Sequence, residues 1–182
     1  TTSQERFPWM SPDGKYLSFT DKDGQLFLLN IESKAYKEIA DDQFAGGIYY
    51  DWSPNGGFVA LTLGNRNDFN SLYIYSVAED KLTRITDDMF NVYDPAWGAN
   101  GDYLYYLSDR SFAPQLSHIE WNFALNREVG LFAMALRKDV KHPFAPKSDE
   151  VTLEEAEEKN DENEQENGEP EEKEYISIDF DG

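Results

Sequence analysis

Three stretches of this chain repeat one short pattern at nearly constant spacing. They are Ser11-Pro12-Asp13-Gly14-Lys15-Tyr16-Leu17-Ser18-Phe19, Ser53-Pro54-Asn55-Gly56-Gly57-Phe58-Val59-Ala60-Leu61 and Trp97-Gly98-Ala99-Asn100-Gly101-Asp102-Tyr103-Leu104-Tyr105. Each holds a tight polar turn ending in Gly, then a run of aromatic and aliphatic residues. Aligned on Gly14, Gly56 and Gly101, the copies lie 42 and 45 residues apart. A period in the forties built on turn plus strand marks a blade-type repeat. The turn has a direct physical reading. Pro presets φ, Asp or Asn follows, and Gly takes the positive φ that closes a strand–strand connection. The bulky residue before the turn (Trp52, Trp97, and Met10 in the first copy) is expected to lie across the neighbouring unit.

The repeat predicts an all-β fold of about three four-stranded antiparallel β-propeller blades, forming a partial propeller. Blade 1 covers residues 1–42, with strands over 6–10, 16–20, 25–30 and 35–39. Blade 2 covers 43–88, with strands over 48–52, 58–63, 72–76 and 81–85. Blade 3 covers 89–182, with strands over 92–97, 103–108 and 131–136. In this third unit a loop, 109–130, replaces the 4-residue and 8-residue connections of the first two. An acidic insertion, 148–174, then precedes Tyr175-Ile176-Ser177-Ile178-Asp179-Phe180, whose alternation predicts the missing fourth strand. Strand parity places the two insertions on opposite rims of the disk. The acidic one belongs on the rim of the Ser-Pro-Asp-Gly turns.

Charge is uneven. Residues 148–182 carry 16 acidic and 2 basic side chains, so −14 of the total −20 is concentrated there. Such a composition cannot bury enough apolar surface to order itself, and a solvated spacer is the plain reading of 151–174. An acidic chain without a basic face is a poor match for nucleic acid or an anionic membrane, and neither is expected as a partner. No apolar run approaches membrane-spanning length. There is no Cys, which removes disulfide and thiolate chemistry and suits either cytoplasm or periplasm.

Four clusters invite a chemical reading. Ser117 and His118, with Asp109 and Glu120, suggest a Ser-His-acid site. Adjacent residues of an extended segment point to opposite sides, however, and no Gly-rich oxyanion loop accompanies them. His142, before Pro143, reads as a turn or surface residue. Asp21-Lys22-Asp23-Gly24 begins like a calcium loop but lacks the further oxygen ligands and distal Glu, so it reads as a hairpin turn. Asp41-Asp42 and Asp87-Asp88 recur at equivalent positions, which favours a structural role, such as accepting backbone hydrogen bonds between blades. Two histidines without Cys make no usual zinc site. No catalytic, cofactor-binding or metal-binding residue is therefore assigned.

The turn motif, with Trp or Met before Ser-Pro-Asp/Asn-Gly, resembles TolB-type propellers and the propellers of tricorn-like proteases. Unit three resembles the tricorn family in particular. The residues are Leu107-Ser108-Asp109-Arg110-Ser111-Phe112, Ile119-Glu120-Trp121-Asn122-Phe123, and Leu136-Arg137-Lys138-Asp139 leading to His142-Pro143-Phe144. The charged insertion followed by Ile178-Asp179-Phe180-Asp181-Gly182 also looks like that family. The resemblance implies a large serine protease with a six- and a seven-bladed propeller, followed by a PDZ-like domain and a catalytic core. It implies that this chain is about three non-catalytic blades of the seven-bladed one, acting in peptide access, sieving or substrate selection. Its partners would be peptides and the remaining domains. A TolB-type scaffold for protein–protein binding is the alternative, and an enzyme with its site on the propeller is a third reading. Three blades leave two faces without a neighbour, so self-association of the chain is expected, most simply as a two-fold pair.

Overall fold

The Ser-Pro-Asp/Asn-Gly turns fold as their chemistry demands. A computed structural model describes residues 5–44, 47–110, 115–116, 123–124, 129–142 and 176–180. In the first turn Gly14 N–H donates to Ser11 O at 2.9 Å, and in the second Gly56 N–H donates to Ser53 O at 2.8 Å. Gly14, Gly56 and Gly101 have φ of 71°, 70° and 68°, the left-handed region that a Cβ disfavours. The serine closes the turn from inside. Ser11 Oγ accepts from Tyr16 N at 2.9 Å and donates to Asp13 at 2.6 Å; Ser53 Oγ does the same with Phe58 N and Asn55. Both serines are buried, so these bonds are made away from water.

Each turn joins the first two strands of an antiparallel sheet. Sheet one contains β1 (Arg6–Met10), β2 (Tyr16–Thr20), β3 (Gln25–Asn30) and β4 (Tyr36–Asp41), in that spatial order. Sheet two repeats it with β5 (Tyr50–Trp52), β6 (Phe58–Gly64), β7 (Asn70–Ser76) and β8 (Lys81–Arg84). Sheet three contains β9 (Val92–Trp97), β10 (Tyr103–Ser108) and β13 (Gly130–Ala135). A two-stranded ribbon, β11 (Gln115–Leu116) with β12 (Phe123–Ala124), lies within the long 109–130 loop, where the sequence suggested no strand. The fold of the described residues is thus all-β, with three sheets of three to four strands besides the short ribbon, a partial β-propeller.

Strand alternation makes both faces of these sheets apolar. Leu26, Leu28, Trp52, Val59, Leu61 and Tyr75 fill the seam between sheets one and two. Ala60, Leu72, Ile74, Val92, Leu104 and Tyr106 fill the seam between sheets two and three. Successive residues of β6 and β7 point to opposite seams, so the middle sheet is buried on both sides.

Residues 175–180 were expected to form the fourth strand of sheet three. Residues 176–179 are not a strand, and among the described residues that sheet has three. Ile176 is buried against Gly101, so close that a Cβ there would meet Ile176 Cδ1 at 2.6 Å. Ile178 packs on the second seam, and Asp179 N–H donates to Leu136 O at 2.9 Å. The apolar alternation is satisfied by crossing the rim at the turn rather than by running along β13. This return, like residues 137–142, lies on the Gly101 side, the rim that strand parity assigns to the acidic insertion. The insertion itself, 148–174, lies outside the described residues. Another boundary shifts at residues 48–49, expected within β5. There the Tyr49 carbonyl takes both the N–H and the hydroxyl of Thr62, and the ladder begins at Tyr50.

Trp52 is 4 % exposed, stacks on Tyr16 with ring centroids 6.5 Å apart, and donates its indole N–H to Ser18 Oγ at 3.0 Å. Truncating it opens a cavity in the first seam and removes one of the hydrogen bonds of the buried Ser18 hydroxyl. Trp52→Ala is expected to cost about 3–5 kcal/mol in urea unfolding. The half-buried Trp97 should cost less when truncated in the same way. A Trp52→Ala loss below about 1 kcal/mol would mean that this seam is not what holds the sheets together.

Candidate interaction site along the first strands

The first strands of successive sheets are stitched to one another. Tyr50 OH donates to Phe7 O at 2.8 Å, joining the edges of sheets one and two. Asp51 does the same for sheets two and three. Its carboxylate accepts from Trp97 N at 2.8 Å, and its carbonyl accepts from the Trp97 indole at 3.1 Å. Phe58 stacks on Trp97 at 6.3 Å, the counterpart of Tyr16 on Trp52. In a propeller the first strand of each blade faces the central channel. Every residue of β1 is exposed. Between β1 and the start of β5 lies a cavity of about 600 Å³, walled chiefly by Phe7, Trp9, Thr20, Ile48, Tyr49 and Tyr50.

Burial pushes the Asp51 carboxyl above the ordinary aspartate value of 3.8, against the N–H groups of Trp97 and Trp52 that pull it down. The charge is retained close to a seam because it holds a backbone N–H of the next sheet.

The clusters singled out in the sequence fall apart chemically. Asp109 accepts the N–H of Asn91 at 3.2 Å, bracing the start of the third sheet. Ser117, His118 and Glu120 lie outside the described residues. His142 is exposed beside Tyr103 and Tyr105 at the outer face of sheet three. Asp21 folds its carboxylate onto its own turn, accepting from Asp23 N at 2.9 Å and Gln25 N at 3.0 Å, with Gly24 at φ 86°. That is the hairpin geometry expected of Asp-Lys-Asp-Gly.

Asp42 is buried and accepts from Phe44 N, Gly47 N and Gly64 N, the last in the next sheet. It performs the structural role expected of the aspartate pairs. Its counterpart Asp88 is exposed, with its carboxylate 3.9 Å from Arg84 and its carbonyl accepting from Asn67 Nδ2 at 2.7 Å, so the pairs are not equals.

Two polar anchors were not foreseen. Ser18 Oγ accepts from the Trp52 indole N–H and donates its own O–H to Trp9 O at 2.9 Å. Asp51 holds Trp97. The available signal was position: Ser18 and Asp51 are polar residues where the alternating strands aim at a neighbouring sheet.

Comparison with known proteins agrees with this geometry. Residues 3–182 match the family described as the tricorn protease second beta propeller domain. The chain belongs to that family. It is 29 % identical over 141 residues to the tricorn protease of Thermoplasma volcanium, covering 73 % of this chain and 14 % of that protein. It is 24 % identical over 139 residues to tricorn protease homolog 1 of Streptomyces coelicolor, covering 75 % of this chain and 13 % of that protein. The crystal structure of the tricorn protease shares its fold, with a TM-score of 0.69 and 19 % identity. That likeness covers 82 % of this chain and 15 % of the other. This tricorn-type propeller region thus spans about one seventh of the length of the relatives it matches.

The Asp51 anchor gives a pH test. The folded state holds its proton more tightly than the unfolded chain. Its contribution to stability is therefore full below the ordinary value of 3.8 and is lost as pH rises through the higher folded value. Asp51→Asn keeps an acceptor for Trp97 N and removes the buried charge. The variant should gain stability relative to the parent as pH rises from about 4 to 7 in urea titrations. A difference between the two that does not change with pH would show that Asp51 is not held above its ordinary value.

Proposed function

We propose that this chain is a non-catalytic propeller segment of a tricorn-like serine protease, acting in peptide access, sieving or substrate selection. The observation that carries the reading is the exposed, aromatic inner edge formed by β1 and the start of β5. A propeller blade turns this edge toward its channel, and the chain's family is one of protease propellers. In the clusters that resemble catalytic sites, the carboxylates of Asp21, Asp42 and Asp109 are spent on backbone N–H groups. The peptides and the remaining domains of the protease are its partners. A TolB-type scaffold role has no observation of its own to favour it.

Blocking the inner edge tests the reading. The chain has no Cys, so Tyr49→Cys can be labelled with a bulky maleimide in the full protease carrying a cysteine-free background. Labelling should slow hydrolysis of long peptides several-fold more than hydrolysis of tripeptides, and the isolated chain should cleave neither. Equal slowing, or turnover by the isolated chain that survives repurification, overturns it.

The outer faces bear on assembly. On sheet one, Phe19 stacks on Phe27 at 5.4 Å and Phe27 meets Tyr36 edge-on at 6.1 Å, with Tyr36 more than half exposed. On sheet three, Tyr103, Tyr105 and Leu131 form the opposite outer face, with Leu131 72 % exposed. Within the fold, the equivalent faces of sheet two are covered by neighbouring sheets. We infer that the isolated chain pairs with a second copy through these faces, burying more than about 1,200 Å² in total. Sedimentation at tens of micromolar should show a dimer, and a clean monomer without exposed-hydrophobe dye binding would refute the pairing.

A further inference from the structure

We propose that the cavity between β1 and β5 is a subsite for one aromatic side chain of a peptide lying extended along the inner edge. The inference rests on the peptide-passage reading above and adds what the edge recognises.

The repeat supplies an internal control for the exposed rings. Phe7, Tyr49 and Asp94 each stand seven residues before the turn glycine of their unit. Phe7 is 73 % exposed, Tyr49 is 56 % exposed and Asp94 is exposed as well. Phe7 belongs to the first sheet, which has no sheet before it. Tyr49 stands immediately before the second sheet, whose preceding neighbour is in place, and its ring is still in solvent. Exposure at this position is therefore a property of the blade's inner edge and not of the open outer face.

The backbone is shaped to make that presentation. Phe7 and Asp94 adopt φ of 52° and 48°, and the pairing register slips at both places, between Arg6 and Trp9 in β1 and opposite Tyr105 and Leu107 in β9. Such bulges re-aim a side chain and cluster beside binding sites. A left-handed backbone at Phe is unfavourable and persists only where the surroundings fix it, here with Tyr50 OH held on Phe7 O.

The chemistry of the walls selects the occupant. The Tyr50 hydroxyl is engaged by Phe7 O and the Asp21 carboxylate by its own turn. Lys22, also at the wall, pairs with Asp23 at 2.6 Å, and Arg6 lines it too. The rest of the wall is chiefly ring surface, around a volume of about 600 Å³, within the range of small-ligand pockets. Aromatic clefts also stack nucleic-acid bases, but those sit in extended cationic grooves, whereas here the cations at the wall are Arg6 and the paired Lys22, with Asp21 beside them. An uncharged peptide with an aromatic side chain fits such a nearly balanced wall.

Two capped, uncharged hexapeptides test this, identical except for a central Phe or Ala, titrated into the full chain and followed by the Trp9 indole N–H in NMR spectra. The Phe peptide should give a saturable shift, and the Ala peptide should bind about three- to tenfold more weakly. Tyr49→Ala should weaken the Phe peptide by a similar factor. Phe7→Asn, chosen because Asn tolerates the left-handed backbone, should do the same. Equal binding of the two peptides overturns the subsite, as does binding of the Phe peptide that neither substitution changes. Absence of saturable binding overturns it too. The passage reading is judged separately, by the length dependence of hydrolysis in the labelled protease.

Discussion

A sheet whose strands bear apolar residues on both faces cannot stand alone in water, and every other feature of this fold answers to that constraint. In β6 and β7 almost every side chain is buried or half-buried, because each face meets another sheet. A soluble sheet with one wet face would alternate apolar and polar residues. Here the alternation is between two apolar seams. The architecture is a row of sheets stacked face to face, each completing its neighbour, and stability resides mainly in the seams.

Apolar seams alone fix burial but not register. Register is pinned by polar anchors that reach across the seams. Trp52 reaches Ser18, Trp97 reaches Asp51, and Asp42 collects three N–H groups, two from the connection between the first two sheets and one from β6. A large ring with one donor makes a good anchor, because its body fills the seam while its N–H selects one partner. At the outer side, Lys37 bridges to Asp80 at 2.7 Å and lies over the Tyr75 ring. That contact is exposed and worth little by itself. The inner edge is therefore the better tied, and it is the edge that faces a channel in a propeller.

At the rim that carries the β2–β3 and β6–β7 connections, Arg110 shows how the long loop is rooted. Its guanidinium lies 4.7 Å from the Phe132 ring, 5.5 Å from Phe90 and 5.8 Å from Tyr106. These rings come from sheet three and from the connection that leads into it. The arginine thus clamps the start of the loop to the second seam by cation–π contact. The long insertion leaves the blade from a fixed root, so sheet three keeps the ladder of β10 and β13 despite it.

The repeat, the turns and the strand faces were legible in the sequence, because each depends on residues close in the chain. Gly14 at positive φ, Ser11 capping its own turn, and alternation in β2 or β6 are local outcomes of local chemistry. The bland reading of Asp-Lys-Asp-Gly was legible for the same reason. Partners for the polar strand residues were settled by the stacking of sheets, since Ser18 and Trp52 lie 34 residues apart and meet only across a seam. The same stacking set the path of Ile176–Phe180. Their alternation is equally satisfied by a strand edge or by a rim with an open place over Gly101, and sequence alternation cannot tell one apolar surface from another. The inner-edge cavity belongs to the same class: Phe7 and Tyr49 are 42 residues apart, and only the fanning of two sheets brings their rings to one space.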